Sequence, residues 1–225
     1  MRRSAAIALS VAICALLASA TLGRQFDGAT PGDARLGEAP DADVLRLHGL
    51  GDAQFVHRAH SLRLQHLGNL GGRIVPFAAI DYARVTGWFR ALDDLDGRAD
   101  VVPTMAAFLY SGSPEAADIR HLVDYLARRA RAAPARDWRW MTHAIYLARY
   151  RLDANETALR LANEMADFET DAVPDWARHL RILVLRDVGR VEAARALVNR
   201  LLETETGIEP RERRWLKYYL DRELQ

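Results

Sequence analysis

Hydrophobic side chains recur with a helical period over most of the chain. In residues 115–131 the apolar positions follow the spacing i, i+3, i+4, i+7 and i+11, which places them on one helix face: Ile119, Leu122, Val123, Leu126 and Ala130. The same kind of stripe returns in 191–204 and in 211–224. No segment alternates apolar and polar residues between hairpin turns, as a half-buried strand does. The pattern therefore predicts an all-α fold.

Prolines divide the helical part into units of similar length. Pro103, Pro134, Pro174 and Pro210 each lie near the start of a helical pattern, where the missing N–H of proline matters least. Successive prolines are separated by 31, 40 and 36 residues, and each interval has room for two helices with a Gly or polar turn between them. Such recurring helix pairs are typical of an α-solenoid. We therefore predict antiparallel helix pairs over 44–225, with the clearest repeats in 100–225.

One turn in this region resembles a known repeat family. In Asp187-Val188-Gly189-Arg190 a Gly precedes a helix, and the small residue Ala194 follows five positions later, as in the middle of a tetratricopeptide repeat. The preceding unit has corresponding residues 36 positions earlier, in the pairs Ala158 and Ala194, Ala162 and Val198, and Met165 and Leu201. In the preceding unit, Asp153 stands at the position that corresponds to Gly189. The resemblance implies a tetratricopeptide-like repeat array.

The N-terminus has the features of a membrane-targeting segment. Two arginines precede residues 4–23, which carry no charge and are long enough to cross about 30 Å of hydrocarbon as a helix. The segment also fits a cleaved secretory signal, with Ala18-Ser19-Ala20 as the cleavage site. In both interpretations the arginines stay in the cytoplasm and the body is exported. Residues 24–43 are rich in Gly, Pro, Ala and Asp and predict a flexible linker.

This order of anchor, linker and helical repeats resembles membrane-anchored bacterial envelope repeat proteins to which no reaction is assigned. The shared segments are Asp81-Tyr82, Asp137-Trp138-Arg139-Trp140 and Val173-Pro174-Asp175-Trp176-Ala177-Arg178. The resemblance implies a single-pass protein of the bacterial inner membrane, with the N-terminus in the cytoplasm and the body in the periplasm. The alternative is a cleaved, freely periplasmic form.

Composition narrows the chemistry. The chain has 225 residues, 31 basic and 30 acidic, so its net charge of +1 argues against a nucleic-acid partner held by bulk charge. Its only cysteine, Cys14, excludes an intramolecular disulfide and a four-cysteine zinc site. His57 and His60 lie one helical turn apart but lack the further ligands of a known metal motif. We expect no metal and no cofactor.

The segment 135–151 predicts a helix that is apolar all round, which is typical of a helix buried between neighbours. A second interpretation places Trp140, His143, Tyr146 and Tyr150 along a groove that binds a protein partner, since aromatic side chains are favoured anchors for peptides. Trp215 lies on the apolar stripe of 211–224 and is expected in the core.

A predicted helix over 76–95 carries Asp81 within its apolar face. A buried carboxylate needs a partner, and Arg84, one turn later, can supply it. The alternative is a functional acid with a raised pKa. No second carboxylate or nucleophile completes a recognisable catalytic motif with Asp81.

These features together predict a membrane-tethered, extracytoplasmic helical-repeat scaffold, an adaptor or assembly factor that binds another protein of a bacterial envelope complex. Because no catalytic motif is present, we do not expect an enzyme. The alternative is an envelope enzyme of the glycan-cleaving type on a helical superstructure, which would need a carboxylate in a cleft.

Overall fold

The computed structural model describes residues 13–14, 36–69, 74–204 and 208–224. These residues form helices and connecting turns, with no strand among them, so the predicted all-α class is confirmed. The predicted membrane segment 4–23 lies outside the described residues, apart from Ile13 and Cys14. Among the residues described, no helix has the length and apolar character needed to span a bilayer.

The helices, in chain order, are α1 (Ala42–His48), α2 (Ala53–Gln65), α3 (Tyr82–Leu95), α4 (Val101–Thr104), α5 (Ala116–Ala132), α6 (Pro134–Tyr150), α7 (Asn155–Ala166), α8 (Asp175–Arg178), α9 (Leu180–Asp187), α10 (Val191–Thr204) and α11 (Pro210–Arg222). A 3₁₀ turn, Phe77–Ala79, precedes α3. Helix α4 continues directly into a π-helical segment, Met105–Leu109, and a 3₁₀ turn, Tyr110–Gly112. Helices α6 and α11 each begin with proline, as the sequence predicts.

Packing follows the order of the chain. Helix α3 packs on α5, α5 on α6, α6 on α7, α7 on α9, and α9 on α10. The most extensive contact lies between α5 and α6, and α6 also contacts α7. Helix α6 therefore has neighbours on two sides, which leaves only a narrow strip of it exposed.

The two units that correspond in sequence also correspond in backbone conformation. Asp153 has φ +48° and Gly189 has φ +78°, so both positions, 36 residues apart, adopt the left-handed conformation before a helix begins. Glycine adopts this conformation without penalty, whereas Asp is among the few other residues that tolerate it. The buried side chains of the following helices match too, in the pairs Ala158 and Ala194, Ala162 and Val198, and Met165 and Leu201.

Part of the predicted linker is docked on the helical body. Leu36 is buried, its carbonyl oxygen accepts a hydrogen bond from Arg84 at 2.9 Å, and the carbonyl oxygen of Gly37 accepts one from the indole of Trp88 at 2.8 Å. The prediction of a flexible linker through residue 43 is therefore wrong for 36–43, where α1 already begins at Ala42. The reason is that a single leucine can anchor an otherwise polar segment if a pocket receives it.

A buried ionic cluster ties three helices together. The guanidinium of Arg129, on α5, donates to Asp137 on α6 at 2.9 Å and to Asp93 on α3 at 2.5 Å. It also donates to the carbonyl oxygens of Gly97 and Ala99. Because Arg129 and Asp137 are almost completely buried, these contacts fix the start of α6 relative to α3 and α5.

Candidate functional site

The exposed strip of α6 carries a row of aromatic side chains. We call it the aromatic row: His143, Tyr146 and Tyr150 of α6, with Phe108 of the π-helical segment beside them. Phe108 is 65%, Tyr146 54% and Tyr150 59% exposed, and His143 is half-buried. Large aromatic residues left exposed along one side of a buried helix make this strip the strongest candidate for a binding surface among the described residues.

Trp140 does not belong to this surface. It is 3% exposed and lies in the core, so the predicted set of four residues is divided by the structure. At about 100° per residue, Tyr150 and Tyr146 lie about 20° and 60° to one side of His143, and Trp140 lies about 60° to the other side. That other side is covered by neighbouring helices, and Leu147 is buried with Trp140 there. The aromatic pattern alone does not reveal which edge of the helix is covered.

Contacts between neighbours hold the aromatic row in place. The ring of Phe108 meets His143 edge to face, with centroids 4.7 Å apart, and the rings of Tyr146 and Tyr150 are 5.2 Å apart. Trp140 lies behind His143, with centroids 5.7 Å apart. Paired aromatic rings of this kind stabilise one another beyond their buried area. The row is therefore a preformed surface, which lowers the entropy lost when a partner binds.

The electrostatics of the row keep its rings uncharged. Burial, together with nearby Arg139, lowers the pKa of His143, so the imidazole is neutral at pH 7. The hydroxyl of Tyr150 donates to Asp187 at 2.8 Å, and this hydrogen bond raises the pKa of the phenol. Arg149 lies over the Tyr150 ring, 5.4 Å from its centroid. The row therefore presents apolar faces with charged groups at its edge, the usual arrangement of a protein-binding patch.

The sequence pattern does not identify Phe108 as a surface residue. It belongs to a short apolar stretch whose composition favours the core, but it lies in the π-helical segment and is exposed beside His143. A π-helical turn shifts the register of side chains within a helix, and such turns are frequent at functional sites.

Asp81 and Arg84 occupy a different place from the one predicted. Helix α3 begins at Tyr82, so Asp81 is its N-cap residue, and one carboxylate oxygen accepts a hydrogen bond from the backbone N–H of Arg84 at 3.1 Å. The other oxygen pairs with the Arg84 guanidinium at 3.2 Å. The predicted pairing is confirmed, but the predicted burial is wrong, because the Asp81 side chain is 52% exposed. The apolar pattern places the helix start six residues too early, and an Asp at the N-cap is the ordinary choice.

Comparisons with protein-family models, with curated proteins and with solved structures gave no match. Across the described ranges, no group of three or more His, Cys, Asp or Glu side chains is arranged to hold a metal ion. The exposed aromatic side chains of α6 and Phe108 are therefore the features of the described residues that point to a function.

Proposed function

We propose that the protein is a membrane-tethered, extracytoplasmic helical-repeat scaffold that binds a protein partner, and that it serves as an adaptor or assembly factor of a bacterial envelope complex. The observation that carries the proposal is the aromatic row. Tyrosine and phenylalanine fixed in one conformation provide a large contact area at a low entropic cost, and such residues dominate the binding energy of many interfaces.

A tetratricopeptide-like solenoid is the architecture that we propose for the body. The left-handed residues at 153 and 189, and the matching buried residues of α7 and α10, support two successive units related by 36 positions. Helix-to-helix packing in chain order is also what a solenoid requires. Repeat arrays of this kind present extended surfaces to partners, which agrees with a binding row along the C-terminal half of α6.

The envelope location rests on the sequence. The uncharged segment 4–23 after two arginines supports export with a tethered or a cleaved N-terminus. A cysteine at exposed Glu203, introduced into a Cys14→Ser background, tests it. We expect a membrane-impermeant maleimide to label this cysteine in intact spheroplasts; labelling only after lysis would contradict the proposed location.

Partner binding is tested by crosslinking and affinity purification of the full chain from envelope membranes. We compare the wild type with Tyr146→Ala and with a matched control, Tyr218→Ala, which removes a tyrosine of similar exposure from α11. Both variants should keep the helical circular-dichroism spectrum of the wild type. We expect one recurrent partner with the wild type and the control, and its loss with Tyr146→Ala. Recovery of the chain alone in every case would argue against a scaffold.

A further inference from the structure

A cleft on the C-terminal part of the body lies apart from the aromatic row. It is bounded by α8 and α9 on one side and by the start of α11 on the other, and its volume is about 440 Å³. This volume falls within the range of roughly 300–1,000 Å³ that is usual for small-ligand sites. We call it the tryptophan cleft, because Trp176 and Trp215 line it and remain 53% and 37% exposed.

Both tryptophans are braced from behind. Trp176 meets Trp138 of α6 nearly at a right angle, with centroids 5.6 Å apart. Trp215 stacks on Tyr219 with an interplanar angle of 23° and a centroid distance of 4.9 Å. Because Tyr219 takes one face of the Trp215 indole, the exposed part is the remaining face and edge. The expectation that Trp215 is a core residue is therefore wrong, since this tryptophan also forms a cleft wall.

The rest of the lining combines apolar side chains with negatively and positively charged ones. Leu180 and Leu183 contribute apolar surface, while Glu209, Glu212 and Arg211 contribute two carboxylates and a guanidinium. His179, on the α8–α9 side, is almost fully buried, and its Nδ1 lies 2.6 Å from a Glu212 carboxylate oxygen. This pair joins the two walls across 33 residues of sequence and fixes the orientation of the Glu212 carboxylate.

The chemistry of the lining selects among ligand classes. A strongly anionic ligand would face two carboxylates. Because Glu212 is already engaged by His179, Glu209 and Arg211 are the charges left to meet a ligand, and their opposite signs give a cation no net attraction. A neutral ligand with apolar faces and a high density of hydroxyl or amide groups meets neither difficulty. Its flat C–H faces can pack on the indoles, its hydroxyls can donate to the glutamates, and Arg211 can donate to its oxygens.

We propose that the tryptophan cleft binds a neutral glycan segment, with one or two sugar rings packed against Trp176 and Trp215 and held by Glu209 and Arg211. The cleft is independent of the aromatic row, because none of its lining residues belongs to the row. Binding of a glycan would give the scaffold a second attachment, and it requires no catalytic step.

The test uses the full chain in detergent and two neutral probes, triacetylchitotriose and maltotriose. Five tryptophans give five indole N–H signals in a ¹H–¹⁵N NMR spectrum, and the variants Trp176→Phe and Trp215→Phe identify the two that line the cleft. We expect at least one trisaccharide to shift these two signals in a saturable manner while the signals of the core residues Trp88 and Trp140 stay in place. Glu209→Gln should weaken binding at least about ten-fold, because a charge-assisted hydrogen bond is lost.

Tyr218→Ala is the matched control, since it removes an exposed aromatic ring from the same helix but outside the cleft, and it should leave the affinity unchanged. A neutral tripeptide, Gly-Leu-Gly with blocked ends, serves as the competing probe. Saturable shifts with the tripeptide and none with either sugar would overturn the proposal in favour of a peptide site. The absence of saturable shifts with all three probes would overturn it as well. If no sugar binds in the cleft, the expected loss of the protein partner with Tyr146→Ala is unaffected. The glycan proposal and the scaffold proposal are therefore tested separately.

Discussion

The buried ionic cluster around Arg129 should control the stability of the helical body. We consider the substitution Asp137→Ala, which removes the carboxylate that accepts from the Nε of Arg129 and leaves this buried cation with Asp93 and two carbonyl oxygens. Removing one partner of a buried ion pair costs about 3–5 kcal/mol, because the remaining charge stays desolvated. Since a typical domain has only about 5–15 kcal/mol of stability, the expected loss is a large fraction of the whole.

A matched substitution in an exposed ion pair separates the effect of burial on stability from the effect of ion pairing. Asp100 forms an ion pair with Arg139, which also joins α6 to the segment after α3, but their side chains are 49% and 40% exposed. An exposed pair contributes about 0–1 kcal/mol, so Asp100→Ala should change the free energy of unfolding by less than about 1 kcal/mol.

The assay is urea unfolding at pH 7, followed by circular dichroism and by tryptophan fluorescence, with Asp137→Asn as a milder variant in case Asp137→Ala does not fold. We expect a smaller loss for Asp137→Asn, because the amide oxygen can still accept from Arg129. Equally small losses in the free energy of unfolding for Asp137→Ala and Asp100→Ala would refute the reasoning, because burial would then not increase the contribution of an ion pair to stability.

Three further predictions concern the pH dependence, a turn and a helix cap. Burial raises the pKa of Asp93 to about 6, against the opposing effects of Arg129 and Tyr125. The folded state therefore holds this proton more tightly than the unfolded state, whose pKa is near 3.8, and the associated stability is complete below pH 4 and is lost as the pH rises through 6. The free energy of unfolding of the wild type relative to Asp93→Asn should fall by about 2 kcal/mol between pH 4 and 7. A relative rise would show that the ion pair outweighs desolvation. Gly189→Ala should lower the stability of the protein by about 1–2 kcal/mol, because φ is +78° there although a Cβ would meet no neighbour. Gly87→Ala, inside α3, should raise the stability by about 0.5–1 kcal/mol. Melting temperatures that shift in the same direction for both variants would contradict this. Asp81→Ala should lower the free energy of unfolding by about 1 kcal/mol, whereas Asp81→Asn should leave it almost unchanged because Asn also caps helices. A large loss of stability with Asp81→Asn in chemical denaturation would point instead to an essential charge.

Much of the helical architecture could be predicted from the sequence. Periodic apolar positions and helix-initial prolines locate α5, α6, α10 and α11 to within a few residues, because local spacing and capping chemistry determine where a helix forms. The pattern predicts too early a start for α3, because the apolar residues of 76–80 continue the helical period although they form a separate 3₁₀ turn and an extended residue before the helix. Because the helix begins at Tyr82, Asp81 is its N-cap residue and not a member of its buried face.

The candidate surfaces were only partly predictable. His143, Tyr146 and Tyr150 share one strip because of helical geometry, which the sequence contains, but the burial of Trp140 depends on which neighbour covers the adjacent edge. The pairing of His179 with Glu212 depends on how distant helices pack, which periodicity does not specify. Leu36 is similar, because its docking depends on a pocket made by residues far along the chain.

The most direct test of the scaffold proposal is site-specific photocrosslinking at the aromatic row in living cells. A benzophenone amino acid replaces Tyr146 in one strain and Tyr218 in another, and these tyrosines are 54% and 60% exposed. We predict that irradiation yields one discrete heavier protein adduct from position 146 and none from position 218. No adduct at position 146, or the same adducts at both positions, would contradict the proposal that this row binds a specific protein partner.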